Sequence, residues 1–378
     1  MSLLKSRFIE MFKNSETLRL DQIAEVTMGQ SPDSSSYNSV GKGIPFYQGK
    51  TEFTDKYIGQ PSTWCTSPTR IAKENDILMS VRAPVGNVNI ATEECCIGRG
   101  LSSIRPQNGF NSEFIFEALE QKKEELENKA TGSTFKAINK DIVLSIQIPN
   151  TSISIQKEYS NFVKQIEKSK FLLQQILKKL ELLKKSRFIE LFGSTDLSLQ
   201  KDDWVEIKNI GEVVSGSTPK TTNESYWGGE NKWITPAELS SNTYVITKTD
   251  RYLTDEGVKS CSLRKLPKDT VLLTSRAPIG KVAIAGTEMY CNQGFKNIIC
   301  NEKIRPKYLF YLLKNNVRYL EYLGRGATFK EISKSIVENV KIPLFPLQDQ
   351  DRFIEFAEQI DKSKLIIQKA LEDLVGKV

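Results

Sequence analysis

Histidine is absent from this sequence of 378 residues. Its absence excludes Ser-His-Asp and Cys-His nucleophiles, His-ligated zinc or haem, and HExxH metalloprotease chemistry, because each of these needs an imidazole. Catalysis by this chain would therefore have to use carboxylate, Lys, Tyr or Cys side chains.

Cysteine is scarce, and no two cysteines form a C-x-x-C pair. The sequence shows no secretory signal pattern and no apolar run long enough to span a bilayer. We therefore expect a soluble, cytoplasmic chain whose cysteines are reduced, small, buried apolar side chains and not ligands of a metal. These cysteines are Cys65, Cys95, Cys96, Cys261, Cys291 and Cys300.

Neither sign of charge dominates the chain. It carries 53 Lys and Arg against 46 Asp and Glu, a formal net charge of +7, without a dense basic tail. This balance is compatible with nucleic-acid binding but does not require it. The length predicts two domains, each large enough to bury a core.

The common catalytic and nucleotide-binding motifs are also missing. A phosphate-binding loop is excluded at Gly280-Lys281, because Ser275 stands in place of its first glycine and Val282 in place of its Ser or Thr. No GxGxxG, no Asn-Pro-Pro-Tyr and no convincing Pro-Asp with Glu-x-Lys occurs. By elimination, we expect the chain to recognise or position another molecule.

An internal repeat organises the sequence. Residues 76–106 align with residues 269–301, most clearly at a shared Arg-Ala-Pro, with a shift of 194 positions at that tripeptide. Residues 23–32 align with residues 210–219 at a shift of 187. The two halves of the chain are therefore predicted to be two versions of one domain.

The repeat is circular. Residues 6–12 (SRFIEMF) recur as residues 186–192 (SRFIELF), so that the second copy continues from the C-terminus into the N-terminus. We therefore expect the two chain ends to lie close together. The predicted architecture is α+β or α/β, with pseudo-two-fold symmetry: two similar globular domains joined by two long antiparallel coiled-coil helices.

Apolar residues recur at spacings of three and four along both long segments, and no Pro or Gly interrupts them. This pattern predicts that the helices pack on each other, although an amphipathic helix on its own domain's core is the alternative. The predicted seam consists of Phe162, Ile166, Leu173, Ile176, Leu180, Phe356, Ile360, Ile367 and Leu374. The predicted segments are 1–13, completing the second helical region, 14–154 as the first domain, 155–192 as the central helix, 193–348 as the second domain and 349–378 as the C-terminal helix.

Within the two domains, short apolar runs bounded by Gly, Pro, Ser and Asn predict strands in a modest, partly antiparallel sheet. Strands are predicted at residues 81–91 and 281–285. Helices are predicted at residues 112–129 and 305–322.

Positions that differ between the two copies should serve whatever distinguishes the two domains. Arg99, on a Gly-flanked turn, aligns with Gln293, and Arg pairs bidentately with guanine whereas Gln pairs with adenine in the major groove. A tight turn with a solvated side chain is the structural alternative. The candidates for base reading are Arg99, Gln293, Asn292, Gln48, Lys50, Trp233, Thr235 and Lys296.

Positions that agree between the copies should serve the shared scaffold or the nucleic-acid backbone. Arg82 and Arg276 lie in Arg-Ala-Pro-x-Gly turns, where each could contact a phosphate or hydrogen-bond loop carbonyls. The candidates for backbone contact are Arg82, Arg276, Lys136, Lys330, Gln30, Ser31, Ser217 and Thr218.

The order, duplication and circular arrangement of these motifs resemble the specificity subunit of type I restriction-modification systems. The resemblance covers nearly the whole chain. It rests on the duplicated Gly-x-[Ser/Thr]-Pro segment at 29–32 and 216–219, on Ser-Arg-Ala-Pro-Ile-Gly-Lys at 275–281, on the Gly-Arg-Gly-Leu and Asn-Gln-Gly-Phe turns, on Gly-Ala-Thr-Phe-Lys at 326–330, and on Ile-Pro-Leu before the second long helix.

The resemblance implies a non-catalytic subunit with two target recognition domains, each reading one half of a bipartite asymmetric DNA sequence. The long helices would set the spacer between the halves and dock the partner subunits. The implied partners are double-stranded DNA, two methyltransferase subunits and, in the full complex, two restriction subunits. The resemblance also implies that S-adenosylmethionine, ATP and Mg²⁺ are used by those partners and that this chain binds no cofactor or metal.

Two other interpretations remain open at the level of sequence. The duplicated domains could form a bivalent scaffold that binds protein and not DNA. Alternatively, carboxylates such as Asp76 or Asp269 could form a nuclease site that needs Mg²⁺.

Overall fold

The computed structural model describes residues 3–131, 136–240, 244–324 and 331–375. The chain folds into two compact units. The first unit comprises the described residues up to Gln175 together with those from Ile367 onward, and the second runs from Ile176 to Ile366. Residues near both chain ends therefore belong to the same unit, in agreement with the circular repeat.

The first unit combines helices with sheets of two, four and five strands. Its strands are β1 (Thr17–Arg19), β2 (Ala24–Met28), β3 (Tyr37–Asn38), β4 (Ile44–Tyr47), β5 (Trp64–Cys65), β6 (Ile71–Ala72), β7 (Ile77–Ser80), β8 (Val88–Ile90), β9 (Cys95–Ile97), β10 (Leu101–Pro106) and β11 (Gln147–Pro149). Its helices are α1 (Leu3–Phe12), α2 (Leu20–Ile23), α3 (Ser112–Glu120), α4 (Lys123–Lys129), α5 (Lys140–Leu144) and the beginning of α6 (Ile153–Phe192).

The smallest sheet pairs β1 with β11, and the two larger sheets of the first unit differ in strand direction. One has the order β2-β10-β7-β8 and is antiparallel throughout. The other has the order β3-β5-β4-β9-β6, and its β4 and β9 run parallel, with Phe46 opposite Cys96 and Tyr47 opposite Ile97. A partly antiparallel sheet was predicted, and the structure confirms it.

The second unit repeats this plan. Its strands are β12 (Val205–Glu206), β13 (Gly211–Ser215), β14 (Trp227–Ile234), β15 (Val245–Ile246), β16 (Arg251–Leu253), β17 (Val271–Leu273), β18 (Val282–Ala285), β19 (Tyr290–Cys291), β20 (Lys296–Cys300) and β21 (Lys341–Ile342). Its helices are α7 (Asp255–Ser260), α8 (Pro306–Asn315), α9 (Val317–Leu323), α10 (Lys334–Asn339) and parts of α6 and α11 (Leu347–Val375). The sheet orders are β12-β21, β13-β20-β17-β18-β15 and β16-β14-β19, and β14 and β19 again run parallel.

Three predicted elements are shorter or broken in the structure. The helix predicted at 112–129 divides into α3 and α4, with Gln121 and Lys122 between them. The strand predicted at 81–91 is confined to β8, because the Arg-Ala-Pro turn and Gly86, at φ +84°, occupy its first part. The helix predicted at 305–322 breaks into α8 and α9 at Asn316. The buried Asn316 amide accepts a hydrogen bond from the Leu197 N–H and donates one to the carbonyl of Thr195, each 2.9 Å long, so it ties this break to another segment.

Each unit contains a cluster of four aromatic rings built on the circular repeat. In the first unit, Phe8 and Phe12 of α1 contact Tyr159 of α6 with ring centroids 5.4 and 5.6 Å apart. Phe12 also meets Phe114 of α3 at 5.4 Å. All four rings are buried.

The second unit has the same cluster at the aligned positions. Phe188 and Phe192 contact Phe353 of α11 at 5.0 and 5.7 Å, and Phe192 meets Tyr308 of α8 at 5.0 Å. The N-terminal helix α1 therefore occupies in the first unit the place that the end of α6 occupies in the second. This correspondence confirms the circular repeat in three dimensions.

A buried glutamine at the start of each long helix reinforces the same junction. Gln156 accepts a hydrogen bond from the Asn111 N–H at 3.1 Å and donates one to the carbonyl of Thr151 at 3.1 Å. The aligned Gln350 accepts from the Arg305 N–H at 2.8 Å and donates to the carbonyl of Phe345 at 2.8 Å.

The long helices are confirmed as continuous elements, since α6 has 40 residues and α11 has 29. Within the second unit their packed parts run antiparallel, because Glu181 pairs with Lys364 whereas Lys184 pairs with Asp361. The predicted seam is less buried than expected. Ile360 is buried, Ile176 is 43% exposed and the other seven residues are half-buried, while the fully buried contacts of these helices are the aromatic clusters.

Cys65, Cys95, Cys96 and Cys291 are buried, as expected, whereas Cys261 and Cys300 are only half-buried. Burial raises the pKa of Cys95, Cys291 and Cys300 to about 12, so these thiols stay protonated at neutral pH. No helix in the described part of the chain has the length and apolar character needed to cross a membrane.

Candidate nucleic-acid interface

Three loops meet in the first unit where β2 ends, where β4 ends and where β9 ends. The Gln30 N–H donates to the carbonyl of Ile97 at 3.0 Å, and the Gly98 N–H donates to the carbonyl of Tyr47 at 2.8 Å. These two hydrogen bonds and the parallel pairing of β4 with β9 place Gln30, Gln48 and Arg99 in one loop cluster.

The second unit builds the same loop cluster. The Ser217 N–H donates to the carbonyl of Cys291 at 3.1 Å, and the Asn292 N–H donates to that of Ile234 at 3.0 Å. The cluster therefore gathers Ser217, Thr235 and Gln293 at positions that match the first unit.

The glycine of each Gly-x-[Ser/Thr]-Pro segment is required by this close approach. A Cβ atom on Gly29 would lie 2.1 Å from the carbonyl oxygen of Gly98, and one on Gly216 would lie 2.1 Å from that of Asn292. A side chain at either position would push the loops apart. The duplicated motif thus has a structural cause, which is to hold two loops of the cluster together.

A hydroxyl and a glutamine pair in both clusters, but the glutamine comes from different loops. In the first unit, Ser31 Oγ donates to Gln48 Oε1 at 3.0 Å. In the second unit, Thr218 Oγ1 donates to Gln293 Oε1. Ser31 and Thr218 are aligned, so the same scaffold position orients a different surface amide in each unit.

Arg99 is an exposed cation of the first cluster. Its backbone N–H donates to Ser31 Oγ at 3.4 Å, which fixes the turn. Its guanidinium forms no ion pair or hydrogen bond with the residues that the structure describes, and it is therefore available to a ligand. Gln293, at the aligned position, is also exposed.

Two of the predicted base-reading residues lie in the interior. Trp233 is 2% exposed, and its Nε1 donates to the carbonyl of Ser217 at 3.1 Å. Lys296 is 6% exposed, and its ammonium lies 3.3 Å from Glu331 Oε1 and 3.3 Å from Ser275 Oγ. Their burial argues against the base-reading role predicted for them and places both in the scaffold.

The remaining predicted base readers stay at the surface of the clusters. Gln48 and Lys50 are exposed, and Asn292 and Thr235 are half-buried. The Asn292 side chain accepts from the Gly294 N–H at 2.8 Å, and Thr235 Oγ1 donates to Glu238 at 3.1 Å. These last two side chains thus also shape their own loops.

The two Arg-Ala-Pro arginines differ in their surroundings. Arg276 Nε lies 3.0 Å from Glu331 Oε2. Burial alone would raise the pKa of Glu331, but hydrogen bonds from Lys296 and Arg276 outweigh it and lower that pKa. In the first unit, Ala137 takes the place of Glu331 opposite Arg82, so Arg82 has no carboxylate partner among the described residues.

The other candidates for backbone contact differ in their exposure to solvent. Lys136 is exposed, and its carbonyl accepts from the Ala83 N–H at 2.9 Å, beside Arg82. Gln30 is exposed and Ser31, Ser217 and Thr218 are half-buried in the loop clusters. Lys330 lies outside the described residues.

The carboxylates considered for a nuclease do not occupy equivalent positions. Asp76 is 2% exposed and accepts two hydrogen bonds from Arg105, at 2.8 and 2.9 Å, and one from Ser103 at 2.7 Å. Asp269 is exposed at φ +70° and matches Asn75, at φ +68°. Asp76 is therefore a structural acid, and the two aspartates do not form a duplicated site.

A further cation of the second unit could not be recognised from the sequence. Arg251 lies on β16 opposite Trp233, and its guanidinium is stacked 3.6 Å from the ring centroid of Trp227. Trp227 and Arg251 lie outside the segments that align between the two halves of the sequence. Only the pairing of β14 with β16 brings the three side chains together.

Comparisons with known proteins agree with the duplicated plan. A family model described as the type I restriction modification DNA specificity domain matches residues 13–182 and 201–375. The type I restriction enzyme MjaIX specificity subunit of Methanocaldococcus jannaschii is 42% identical over 201 residues, covering 50% of this chain and 46% of that protein. The putative MjaX specificity subunit of the same organism is 40% identical over 169 residues, covering 44% of this chain and 40% of that protein. The matched part of this chain thus spans less than half the length of these relatives.

A solved structure covers the chain more fully. The S subunit of a type I restriction-modification system from M. genitalium aligns with 96% of this chain and 93% of its own, with a TM-score of 0.51 and 16% sequence identity. At that identity the likeness shows the fold, namely two similar mixed α and β units with long connecting helices.

Proposed function

Because the chain belongs to the family of type I restriction modification DNA specificity domains, we propose that it is the sequence-reading subunit of a type I restriction-modification complex. Each unit reads one half of a bipartite, asymmetric DNA site. The observation that carries this proposal is the pair of matched loop clusters, which share a scaffold and differ in the side chains that they expose.

The chemistry of the differing side chains supports base reading. Arg99 and Gln293 occupy the same exposed turn in the two clusters. A guanidinium can donate two hydrogen bonds to the O6 and N7 of guanine, whereas an amide can donate to N7 and accept from N6 of adenine. Two units with one scaffold and different readers recognise two different half-sites, and the full site is therefore asymmetric.

Arg82 and Lys136 supply backbone contacts beside the first cluster. Both are exposed, and Arg82 has no carboxylate partner in the described part of the chain. Contacts of this kind hold the register on the duplex without carrying sequence information. In the second unit Glu331 neutralises part of the corresponding charge, so phosphate contacts there come from other residues.

The long helices set the spacer between the half-sites and dock the methyltransferase subunits. Docking is supported by large apolar side chains that the helices leave in solvent. They include Phe171 and Leu172 in the first unit, at 58 and 49% exposure, and Leu182, Leu365 and Ile366 in the second, at 64, 68 and 70%. Exposed apolar clusters of this kind mark protein interaction sites.

The partners supply the reaction. The methyltransferase subunits bind S-adenosylmethionine and methylate adenine, and the restriction subunits use ATP and Mg²⁺. This chain contributes recognition and spacing without a cofactor of its own. The burial of Asp76 in hydrogen bonds with Arg105 and Ser103 supports its exclusion from a catalytic role.

The experiment is to prepare the chain with its methyltransferase subunits and map methylated adenines over a random DNA library. The proposal predicts two groups of fixed bases separated by a spacer of fixed length and free sequence. A continuous palindromic motif, or methylation without a motif, would contradict it. Deleting one heptad from α6 and one from α11 should shorten the spacer, and an unchanged spacer would refute the ruler role of the helices.

A bivalent protein scaffold is the competing function, and a salt titration separates the two. DNA affinity should fall steeply and linearly with the logarithm of salt concentration, because phosphate contacts release counterions. A chain that binds only protein has no DNA affinity that falls in this way with salt concentration.

A further inference from the structure

The second unit carries a stacked cation beside its loop cluster. The guanidinium carbon of Arg251 lies 3.6 Å from the ring centroid of Trp227 and 5.3 Å from that of Trp233. The two indoles meet edge to face, with centroids 5.0 Å apart. Stacking of a guanidinium on an indole is favourable and restricts its plane, so Arg251 is held in a defined orientation.

Stacking leaves the hydrogen-bonding edge of Arg251 unused. Arg251 is exposed, and its side chain makes no ion pair or hydrogen bond with any residue that the structure describes. A guanidinium presents five N–H donors in its own plane, and the indole covers only a face of that plane. A rigid donor edge without a partner is the form of Arg that recognises planar, bidentate acceptors.

The stack is built on the loop that forms the cluster. Trp227 Nε1 donates to the carbonyl of Lys220 at 3.3 Å, and Trp233 Nε1 donates to that of Ser217 at 3.1 Å. The same loop carries Thr218, whose hydroxyl bonds the Gln293 side chain. Arg251 therefore adjoins the surface on which Gln293 is exposed.

The first unit has a matching ring pair, but no described Lys or Arg is stacked on it. Tyr37 and Phe46 stack there with centroids 4.7 Å apart, and Phe46 aligns with Trp233. The strand partner of Phe46 is Thr63, whose carbonyl accepts the Phe46 N–H at 2.9 Å. In the second unit, Arg251 is the strand partner of Trp233. The position opposite the aligned aromatic residue is therefore Thr63 in the first unit and Arg251 in the second.

A surface residue that differs between two copies of one scaffold is a candidate for the property that distinguishes the copies, which here is the half-site that each unit reads. We propose that Arg251 is a base-reading residue of the second unit, and that it recognises a guanine in the major groove of the half-site bound there. This inference rests on the proposed function, because it assigns a reader within that half-site. The held plane and the free donor edge match the bidentate acceptors O6 and N7 of guanine.

The test compares methylation maps for complexes of the methyltransferase subunits with the wild-type chain, Arg251→Lys and Arg251→Gln. Lys keeps the positive charge but loses the planar fork, and Gln shifts the preference from guanine toward adenine. Both variants should lose discrimination at one position of the second half-site by roughly 5- to 150-fold. The first half-site in the methylation map should stay unchanged. Its presence also verifies that each variant folds and assembles with the methyltransferase subunits.

Arg264→Lys is the matched control, because Arg264 is an exposed arginine of the same unit that pairs with Glu212 at 3.4 Å. It should leave both half-sites unchanged. Uniform weakening at all sites by Arg251→Gln, with the motif kept, would identify Arg251 as a phosphate contact and overturn its assignment. An unchanged motif and rate would overturn it as well, leaving Arg251 a structural residue. In both cases the wild-type map would still be bipartite, whereas failure of the proposed function itself would appear as a wild-type map without two half-sites.

Discussion

Replacing Phe8 by Ala should destabilise the first unit by about 3–5 kcal/mol, although Phe8 lies only eight residues from the N-terminus. The ring is 8% exposed and lies 4.9 Å from the Phe12 ring, 5.4 Å from Tyr159 and 6.5 Å from Phe114. Truncation removes the buried ring, leaves a cavity that neighbouring helices fill only partly, and breaks aromatic pairs that each contribute about 0.5–1.5 kcal/mol.

Phe188→Ala is the matched variant, since Phe188 occupies the same place in the second unit, 5.0 Å from Phe353 and 5.8 Å from Tyr308. Hydrogen exchange measured peptide by peptide reports the stability of each unit separately, whereas a single melting curve would not. Phe8→Ala should lower protection in residues 14–150 and Phe188→Ala in residues 200–345. A loss below about 1 kcal/mol in the first unit on Phe8→Ala would refute the idea that the N-terminal helix completes it.

Three further predictions follow from the described contacts. Burial raises the pKa of Glu117, whose carboxylate lies 4.0 Å from Lys56 Nζ, to about 7. The first unit should therefore lose stability as pH rises from about 4.5 to about 7, because the folded state binds a proton there that the unfolded chain does not. Glu117→Gln should flatten that pH dependence in denaturant titrations. Asp76→Asn should cost the first unit about 3 kcal/mol in the same titrations, because it removes the charge that Arg105 pairs with. Leu365→Glu should reduce association with the methyltransferase subunits, measured by size-exclusion chromatography, while the hydrogen exchange of the second unit stays unchanged, because Leu365 is 68% exposed.

The circular repeat could be predicted because it depends on residue identity at fixed spacing. Phe8 and Phe12 recur as Phe188 and Phe192, and nearly identical segments that meet aromatic rings at aligned positions fold alike. The structure confirms the two similar units and the long helices for this reason. The predicted coiled-coil seam stays a prediction: its residues are mostly half-buried, Ile176 is 43% exposed, and the fully buried contacts of the long helices are in the aromatic clusters.

Burial of individual loop residues could not be predicted, because it depends on partners far away in the chain. The sequence predicts Lys296 at the surface, but in the structure its ammonium lies beside Glu331 and Ser275. Trp233 lies next to a Gly-rich turn in sequence, but its indole is covered by the loop at 217–220 and by Trp227. Arg251 could not be recognised for the same reason, since its neighbours are set by strand pairing and not by spacing.

The most direct test of the account is a pair of single substitutions, Arg99→Gln and Gln293→Arg, each assembled with the methyltransferase subunits and mapped for methylated adenine. The two residues occupy equivalent positions on the two loop clusters, and the account assigns each to a separate half-site. Arg99→Gln should alter one position of the first half-site alone, and Gln293→Arg one position of the second half-site alone. Changes in the same half-site, or a uniform loss of methylation with an unchanged motif, would contradict the central claim that the two units read DNA through matched but different surfaces.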